Sequence, residues 1–281
     1  MNNAEPHAYE RPIGPWPRKA RPQSAARQIT PEELRSWITY EDERLLVLNK
    51  PGDIVCHPSK DGPWSSLCGA SREYLGGGGL VHLIFRLDRE TSGVVVLAKD
   101  ADMARQLQMA AQERRYAKIY LAILTGELAS ETIVDQPLGP DYSGQVAIKN
   151  CVVPAGQGQT AVTRFTPLVA RGGFTLARVA TETGRKHQIR AHANWLGHWM
   201  VGDKIYGPDQ KLFLDFIEHG WTSALAERIF LPRQALHCAE IDLTLSGHEH
   251  VFRATFPEDL RVFVRQHMNV ADVDAFLQNQ S

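Results

Sequence analysis

Residues 85–100 read FRLDRETSGVVVLAKD, a polar segment that runs directly into five apolar residues. The run Val94–Ala98 is bounded by a glycine and by a lysine-aspartate pair, which is typical of a buried strand. Asp88 precedes this strand between Arg86 and Arg89, so its carboxylate is predicted to lie on a turn anchored to the core. An aspartate near a glycine is most often an ordinary turn residue, so a functional role for Asp88 needs support from the rest of the sequence.

The composition is that of a soluble globular protein. The 281 residues are 43% hydrophobic and 22% charged, and they carry a net charge of −1. Any nucleic-acid binding therefore has to rest on local basic patches. The four cysteines lack C-x-x-C spacing, which favours reduced thiols and a cytoplasmic protein. No apolar run approaches the length of a membrane span, so no membrane association is expected.

Two parts of the chain differ in composition. Residues 1–36 are basic and rich in proline, and they are predicted to form an extended N-terminal arm. Residues 37–281 are predicted to form one domain. Strand-like segments outnumber helical ones in this domain, which favours an α+β fold with a mixed, largely antiparallel sheet and flanking helices over a doubly wound fold.

One strand-like segment carries two polar side chains at alternate positions. The sequence AKIYLAILTG, residues 117–126, alternates in the way that a half-buried strand requires. Ile119 and Leu121 fall on the predicted core face, and Lys118 and Tyr120 share the other face. The segment therefore predicts a lysine and a tyrosine side by side on an open sheet surface.

A second polar constellation lies in TGRKHQIRAHANWLGHWMVGDKIYG, residues 183–207. A glycine turn is expected to lead into a helix that begins near Lys186 or His187. Ile189 and Ala193 have the spacing of a core-facing stripe, which leaves Arg190 on another face of the helix. Arg190 is thus predicted to be a polar residue on an anchored helix.

Four other kinds of functional site can be compared with these segments: a metal site, a glycosidase site, a nucleotide-binding motif and a nucleophile elbow. His187, His192, His198 and Asp203 are candidate metal ligands, but His187 and His192 would point in different directions from one helix, so no metal site is predicted. A glycosidase needs a second carboxylate, and only Glu90 is near Asp88. A Gly-rich nucleotide motif and a G-x-S-x-G nucleophile elbow are both missing from the sequence.

The ordered motifs of the chain resemble those of the RluA family of pseudouridine synthases. The similarity runs from Thr39 onward and is carried by YEDERLLVLNKPGDIVCHP, RLDRETSGVVVLAK, KIYLAILTG, TGRKHQIRAHANWLGHWMVGDKIYG and RQALHCAEIDL. The resemblance implies the pseudouridine synthase fold around a central cleft, with residues 37–281 as the catalytic domain. An S4 RNA-binding module is not expected in front of it, because the arm is too short to hold one.

The resemblance also implies an activity and a set of site residues. The expected reaction is isomerisation of uridine in a stem-loop of ribosomal or transfer RNA, by base flipping and without a cofactor, in a monomer that needs no protein partner. Asp88 matches the catalytic aspartate, which acts by attack at C1′, attack at C6 or abstraction toward a glycal. Tyr120 matches the tyrosine that stacks on the base, and Arg190 the arginine that pairs with the aspartate. The expected substrate-binding residues are Arg86, Lys118, Arg185, Lys186 and His187.

Two departures and two alternative functions accompany this interpretation. Phe85 stands where the family usually has histidine, and Trp199 stands where it usually has proline. Neither position is catalytic, so only fine substrate contacts are affected. The alternatives are a catalytically silent RNA-binding protein on the same fold and an unrelated metal hydrolase built on the histidines. The retained Asp88, Tyr120 and Arg190 argue against a silent protein.

Overall fold

The computed structural model describes residues 27–57, 61–144 and 146–278. The helices in these ranges are α1 (Pro31–Trp37), α2 (Leu67–Tyr74), α3 (Ala101–Gln112), α4 (Gln188–Trp195), α5 (Lys211–His219), α6 (Ser223–Ile229), α7 (Glu258–Met268) and α8 (Val273–Gln278). Within the same ranges, none of the helices is both long and apolar enough to cross a membrane.

The strands form one large sheet and a small hairpin. They are β1 (Ile38–Glu41), β2 (Leu45–Lys50), β3 (His82–Leu83), β4 (Ser92–Ala98), β5 (Ala117–Thr125), β6 (Thr132–Asp135), β7 (Leu138–Pro140), β8 (Asn150–Val152), β9 (Val162–Arg171), β10 (Phe174–Thr181), β11 (Leu236–Asp242) and β12 (Val251–Arg253). The large sheet has the order β1-β2-β4-β11-β5-β10-β9-β6, with β12 beside β11 and β3 beside β4. β7 and β8 form the separate hairpin.

The large sheet is antiparallel except at one point. β4 and β11 run parallel, with Gly93 opposite Cys238. The other strand pairs in the described sheet are antiparallel. The predicted α+β fold with a mixed, largely antiparallel sheet is confirmed.

β4 is the buried strand that its apolar run predicts. All seven of its residues are buried, and Val95, Val96 and Leu97 are completely inaccessible. Such a continuous apolar run is expected for a strand covered on both faces. Because β4 begins immediately after the turn that holds Asp88, this carboxylate is attached to the most deeply buried part of the sheet.

β5 differs from its prediction as a half-buried strand. Lys118 and Tyr120 are each only 8% exposed, and Ala122 is fully buried, so both faces of the strand are covered. The second face is covered because Phe85, from the segment before β4, packs against Lys118 with its ring centroid 4.7 Å from the ammonium, a contact that the alternating pattern of β5 does not reveal. The polar residues of β5 line an internal cleft and do not lie on an open surface.

The folded body begins before residue 37, where the predicted domain boundary stands. Ile29 and Leu34 are both buried in the main core. The Thr30 hydroxyl accepts from the Glu33 amide at 3.1 Å, and the Glu33 carboxylate accepts from the Thr30 amide at 2.9 Å. This capping box starts α1, so part of the predicted arm belongs to the domain. Residues 1–26 of the predicted arm lie outside the described residues.

α3 is an amphipathic helix with a capped N-terminus. The Asp100 carboxylate caps its first turn by accepting from the Met103 amide at 2.8 Å. Met103, Leu107 and Ala110 are buried at helical spacing. The helix connects β4 to β5 and so joins the two strands nearest the cleft.

Candidate active site

A cavity of about 250 Å³ opens between the Asp88 turn, β5 and the start of α4. Its walls bring together residues from segments that are far apart in the sequence. All eight predicted catalytic and substrate-binding residues line it, namely Arg86, Asp88, Lys118, Tyr120, Arg185, Lys186, His187 and Arg190. This convergence makes the cavity the candidate active site.

The turn that carries Asp88 is fixed at several points. The Thr91 amide donates to the Asp88 carbonyl at 3.1 Å. The buried Lys50 ammonium donates to the Arg89 carbonyl at 3.0 Å, and Lys204 forms an ion pair with Glu90 at 2.7 Å. Because the two lysine contacts come from β2 and from the segment after α4, two distant parts of the chain hold the turn in place.

Arg190 connects the Asp88 carboxylate to a second, completely buried carboxylate. Its Nη1 atom donates to Oδ2 of Asp88 at 3.0 Å. Its Nε and Nη2 atoms donate to the two oxygens of Asp203 at 2.6 and 2.7 Å. Asp203 also accepts from the amides of Ile205 and Tyr206. The guanidinium therefore has a fixed orientation, with its Nη1 atom directed at Asp88.

The environment of Asp88 favours the ionised carboxylate. Burial by itself raises the pKa of this group, but the positive charge of Arg190 and hydrogen bonds from Arg190 and Gln234 outweigh it, so the pKa of Asp88 lies below its usual value. A quarter of the Asp88 side chain remains exposed, whereas the Arg190 side chain is 5% exposed and Asp203 is fully buried. Of the three charged groups, Asp88 is the most exposed.

His187 adds a neutral imidazole beside the carboxylate. It adopts the left-handed conformation, with φ 58°, immediately before α4. Burial and the neighbouring Arg190 lower the pKa of His187 to about 4, so the ring is uncharged at neutral pH. Its Nδ1 atom lies 3.1 Å from the Tyr206 hydroxyl, which already accepts from the Asn150 amide. The Tyr206 hydroxyl can thus donate to Nδ1, which places the proton of His187 on Nε2, 3.8 Å from Asp88.

Tyr120 reaches the cavity from the middle of β5. Its neighbours in the sheet are Val179 of β10 and Cys238 of β11. Burial holds the pKa of the Tyr120 hydroxyl well above its ordinary value, so the phenol stays protonated at neutral pH. A rigid, neutral aromatic ring with a hydroxyl is suited to stack on a base and to exchange a hydrogen bond with it.

Three of the four remaining cations, Arg86, Arg185 and Lys186, are more exposed than the buried Lys118. Arg86 and Lys186 are exposed, and Arg185 is half-buried with its Nε atom donating to the Thr160 carbonyl at 3.1 Å. Since none of the three forms an ion pair within the described residues, their charges remain available to an anionic ligand. Their arrangement suits contacts with phosphate groups.

Asp203, Tyr206 and Lys50 were not predicted as functional residues. The sequence suggested Asp203 only as a candidate metal ligand. The buried salt bridge between Arg190 and Asp203 depends on how the chain turns at residues 197–202. No sequence pattern predicts the direction of that turn. One indication that these residues could be functional was available in the sequence. The Gly-Asp pair followed by tyrosine is a polar motif beside an apolar run.

The histidines considered as metal ligands have other roles. Both ring nitrogens of His192 are occupied, by the Thr163 hydroxyl at 2.8 Å and the Gln136 carbonyl at 3.0 Å. His198 lies against the Thr125 carbonyl at 2.8 Å. Across residues 27–57, 61–144 and 146–278, no group of three His, Cys, Asp or Glu residues could hold a metal ion. The described chain therefore gives no support to the metal-hydrolase alternative.

The family model for RNA pseudouridylate synthases matches residues 44–195. The chain belongs to this family. The matched region contains Asp88, Tyr120 and Arg190 and is more than half of the chain. The protein is accordingly an RNA pseudouridine synthase.

Individual relatives agree with the family assignment. The ribosomal large subunit pseudouridine synthase D of Zymomonas mobilis is 31% identical over 251 residues, which cover 85% of this chain and 74% of that protein. The protein of the same name from Pseudomonas aeruginosa is 33% identical over 245 residues, covering 84% and 73%. The chain therefore aligns with most of the length of both relatives.

A solved structure agrees with the fold as well. Human RNA pseudouridylate synthase domain containing 4 superposes with a TM-score of 0.66 at 26% sequence identity. The match covers 84% of this chain and 95% of the human chain. The predicted pseudouridine synthase fold is thus confirmed.

Proposed function

We propose that this synthase converts a uridine in a stem-loop of large-subunit ribosomal RNA to pseudouridine, and that Asp88 begins the reaction. The substrate class is supported by the names of the two bacterial relatives, both of which are large-subunit synthases. The observation that carries the mechanism is the Asp88 carboxylate, ionised and fixed by Arg190 at 3.0 Å in a cavity that it shares with Tyr120.

The chemistry requires bond exchange without a net change of oxidation state. The N1–C1′ bond of uridine breaks, a C5–C1′ bond forms, C5 loses a proton and N1 gains one. Since electrons and atoms balance within the nucleoside, we infer that the enzyme needs no cofactor. The protein has to supply a nucleophile or base, a means to hold the detached uracil, and a path for one proton.

Asp88 supplies the first of these functions. Attack at C1′, attack at C6 and abstraction of the C2′ proton all require the same ionised carboxylate. The pKa of Asp88 lies below its usual value, because the charge and hydrogen bonds of Arg190 outweigh burial. A quarter of the Asp88 side chain remains exposed, so the carboxylate that Arg190 holds stays accessible to a nucleotide in the cavity.

Tyr120 and the rim cations hold the RNA. A uridine stacked in a helix cannot reach Asp88, so the base has to be flipped into the cavity at a cost of a few kcal/mol. Stacking on the Tyr120 ring contributes about 1 to 3 kcal/mol and offsets much of this cost. Arg86, exposed at the mouth, fills the space that the flipped nucleotide leaves, while Arg185 and Lys186 contact phosphates.

The experiment that tests the substrate is a comparison of pseudouridines in RNA from cells with and without the gene. The expected result is the loss of one or a few pseudouridines from large-subunit ribosomal RNA and their return with the wild-type gene. If only transfer RNA loses a pseudouridine, the proposed substrate class is wrong although the reaction stands. An unchanged map, together with failure of the purified enzyme on all cellular RNA, would contradict the proposal.

Asp88→Asn tests the mechanism in the same system. This change removes the charge with little change in volume, so the variant should fold, bind RNA and form no measurable pseudouridine. The control is Asp61→Asn, which changes a carboxylate that does not line the cavity. Turnover by Asp88→Asn within tenfold of the wild type would eliminate Asp88 as the initiating group.

A further inference from the structure

A second cavity, of about 380 Å³, adjoins the active site on its β5 side. Its walls come from the end of α3, the start of β5, and the edges of β9 and β10. It shares Lys118 and Thr181 with the first cavity. The volume is within the range of small-ligand sites, so the space can hold a further chemical group next to the flipped uridine.

Lys118 stands between the two cavities and has no anionic partner. The residue is 8% exposed, and its ammonium makes no hydrogen bond or ion pair with any other described residue. Its neighbours are two aromatic rings, Phe85 with its centroid at 4.7 Å and Tyr116 at 5.2 Å. An ammonium has three donors, and ring faces do not replace the acceptors that it loses on burial.

Phe85 and Tyr116 form the platform under this ammonium. Their ring centroids are 4.5 Å apart, and Phe85 is buried. The platform holds Lys118 by cation–π contact while leaving its N–H groups directed away from the rings. The structure thus contains a buried cation that is fixed, unpaired and adjacent to both cavities.

The other charges around the second cavity are mostly positive. Arg114 follows α3, is exposed and forms no ion pair within the described part of the chain. Arg164 of β9 pairs with Glu131 at the surface. Glu182 is the one carboxylate on the wall. Two unpaired cations, Lys118 and Arg114, therefore outweigh one carboxylate, which favours an anionic ligand.

We infer that the second cavity binds the nucleotide next to the target uridine, with Lys118 holding the phosphodiester that joins the two. This inference rests on the proposed function, because it places the flipped uridine in the first cavity. If an RNA strand has one nucleotide in each cavity, the phosphate that joins them lies at the wall shared by the two cavities. Lys118 is part of that wall. Arg114 contacts the next phosphate outward, and the free edge of Tyr116 faces the neighbouring base.

The test uses hairpins that carry the mapped uridine and a neutral methylphosphonate in place of one phosphate. The replacement stands 5′ of the target in one RNA, 3′ of it in a second, and six nucleotides away in a third. With the wild-type enzyme, one of the two adjoining replacements should lower kcat/KM by about tenfold to a hundredfold, as expected for loss of a charged hydrogen bond. The distant replacement should change it by less than threefold.

Lys118→Met then identifies the protein group. The variant keeps the aliphatic stem and loses the charge, and it should lose about tenfold to a hundredfold on unmodified RNA. On the sensitive methylphosphonate RNA, Lys118→Met should cause no further loss of kcat/KM, because the phosphate charge that Lys118 contacts is already absent. Lys118→Arg should restore most of the activity on unmodified RNA. The control is Lys211→Met, which changes a cation remote from both cavities and should have no effect.

The outcomes separate the inference from the function on which it rests. If the wild type forms no pseudouridine in the unmodified hairpin or its parent RNA, the proposed function fails. If it does, and neither adjoining methylphosphonate matters, the inference alone is overturned, and this result is independent of whether any variant folds. Equal losses for Lys118→Met on all four RNAs would also overturn it, since Lys118 would then act without contacting a neighbouring phosphate.

Discussion

Arg190 can fix the position of Asp88 because Arg190 is itself held by Asp203. Asp203, fully buried, accepts two of its hydrogen bonds, so the guanidinium cannot rotate toward or away from Asp88. An Arg–carboxylate pair of this bidentate kind is directional as well as strong. Asp88 therefore meets a cation of fixed position, and its own geometry is fixed by that contact.

Removal of the Arg190 charge should change the pH dependence of turnover. In Arg190→Met the burial that raises the pKa of Asp88 persists, while the charge that lowers it is gone, so the pKa should rise. Because the proposed mechanism uses the ionised carboxylate, it predicts that activity is present above that pKa and lost below it. The acid limb of the kcat/KM profile should therefore move to higher pH, with a larger loss at pH 6 than at pH 8.

The single variant also leaves Asp203 as an unpaired buried charge, which costs about 3 to 5 kcal/mol of stability. The double variant Arg190→Met/Asp203→Asn removes both charges of that pair and separates folding from catalysis. It should recover part of the lost stability in urea titrations and retain the shifted acid limb. A profile with an unshifted acid limb in the folded double variant would show that Arg190 does not set the ionisation of Asp88.

Substitutions of Tyr120 should separate stacking from the hydroxyl. Tyr120→Phe preserves the ring, so most RNA affinity should remain while turnover falls. Tyr120→Ala should lose both, with affinity weakened by about 1 to 3 kcal/mol. Binding titrations with Asp88→Asn in the background would measure affinity without turnover. Equal kcat for the phenylalanine variant and the wild type would show that the hydroxyl has no part in the reaction.

At the scale of elements, β11 sets the distance between the two strands that serve the cavity. Cys238 of β11 is opposite Gly93 of β4 on one side and opposite Tyr120 of β5 on the other. Gly93 has φ 116°, and a Cβ atom there would lie 2.1 Å from the Cys238 carbonyl oxygen. A glycine is required at this position by both its backbone conformation and the close approach of β11.

Gly93→Ala should therefore destabilise the sheet and displace the Asp88 turn. Backbone strain at a positive φ contributes about 1 to 3 kcal/mol, and separation of β4 from β11 adds to it. The matched control is Gly78→Ala, where a Cβ atom would meet nothing within 4 Å. Urea titration gives the free energy of unfolding, and kcat/KM of the folded protein reports the site. Equal stability of the two alanine variants would contradict this account of Gly93.

Prediction from sequence succeeded where an element's pattern is set by its own residues. The apolar run of β4 is of this kind. The predicted burial of β5 was wrong because its second face is covered by side chains from other segments, such as Phe85 against Lys118. The pairing of Arg190 with Asp88 came from family resemblance, since no local pattern relates residues separated by 102 positions. Asp203 was not predicted as a partner because its burial depends on the packing of α4.

At the scale of the whole molecule, a net charge of −1 limits how the protein can bind RNA. The net charge of the protein cannot attract RNA, so the electrostatic attraction has to come from the cations around the two cavities. A binding surface of this size reaches only a few phosphates. Recognition should then be local, and it should depend on the unpaired bases of a loop more than on a duplex.

A short hairpin that carries the target uridine should therefore be modified nearly as well as the full-length RNA. The slope of log affinity against log salt should correspond to only a few phosphates, each contributing about 0.7 to 0.9. The measurements are kcat/KM for hairpin and parent RNA, with residues 1–26 present and deleted. A hairpin worse by several orders of magnitude, with or without those residues, would mean that the enzyme reads a larger RNA or ribonucleoprotein surface.

The parallel pairing of β4 with β11 has a consequence for biosynthesis. Ser92 is opposite His237, a contact that spans 145 positions, and β11 is also the strand that joins β4 to β5 in the sheet. Contacts of such long sequence separation form late, because the intervening chain has to be ordered first. A nascent chain that ends before residue 236 already contains Asp88, Tyr120 and Arg190, but it lacks the strand that holds them in register. Translation of the last sixth of the chain thus determines when the enzyme first becomes able to act on RNA.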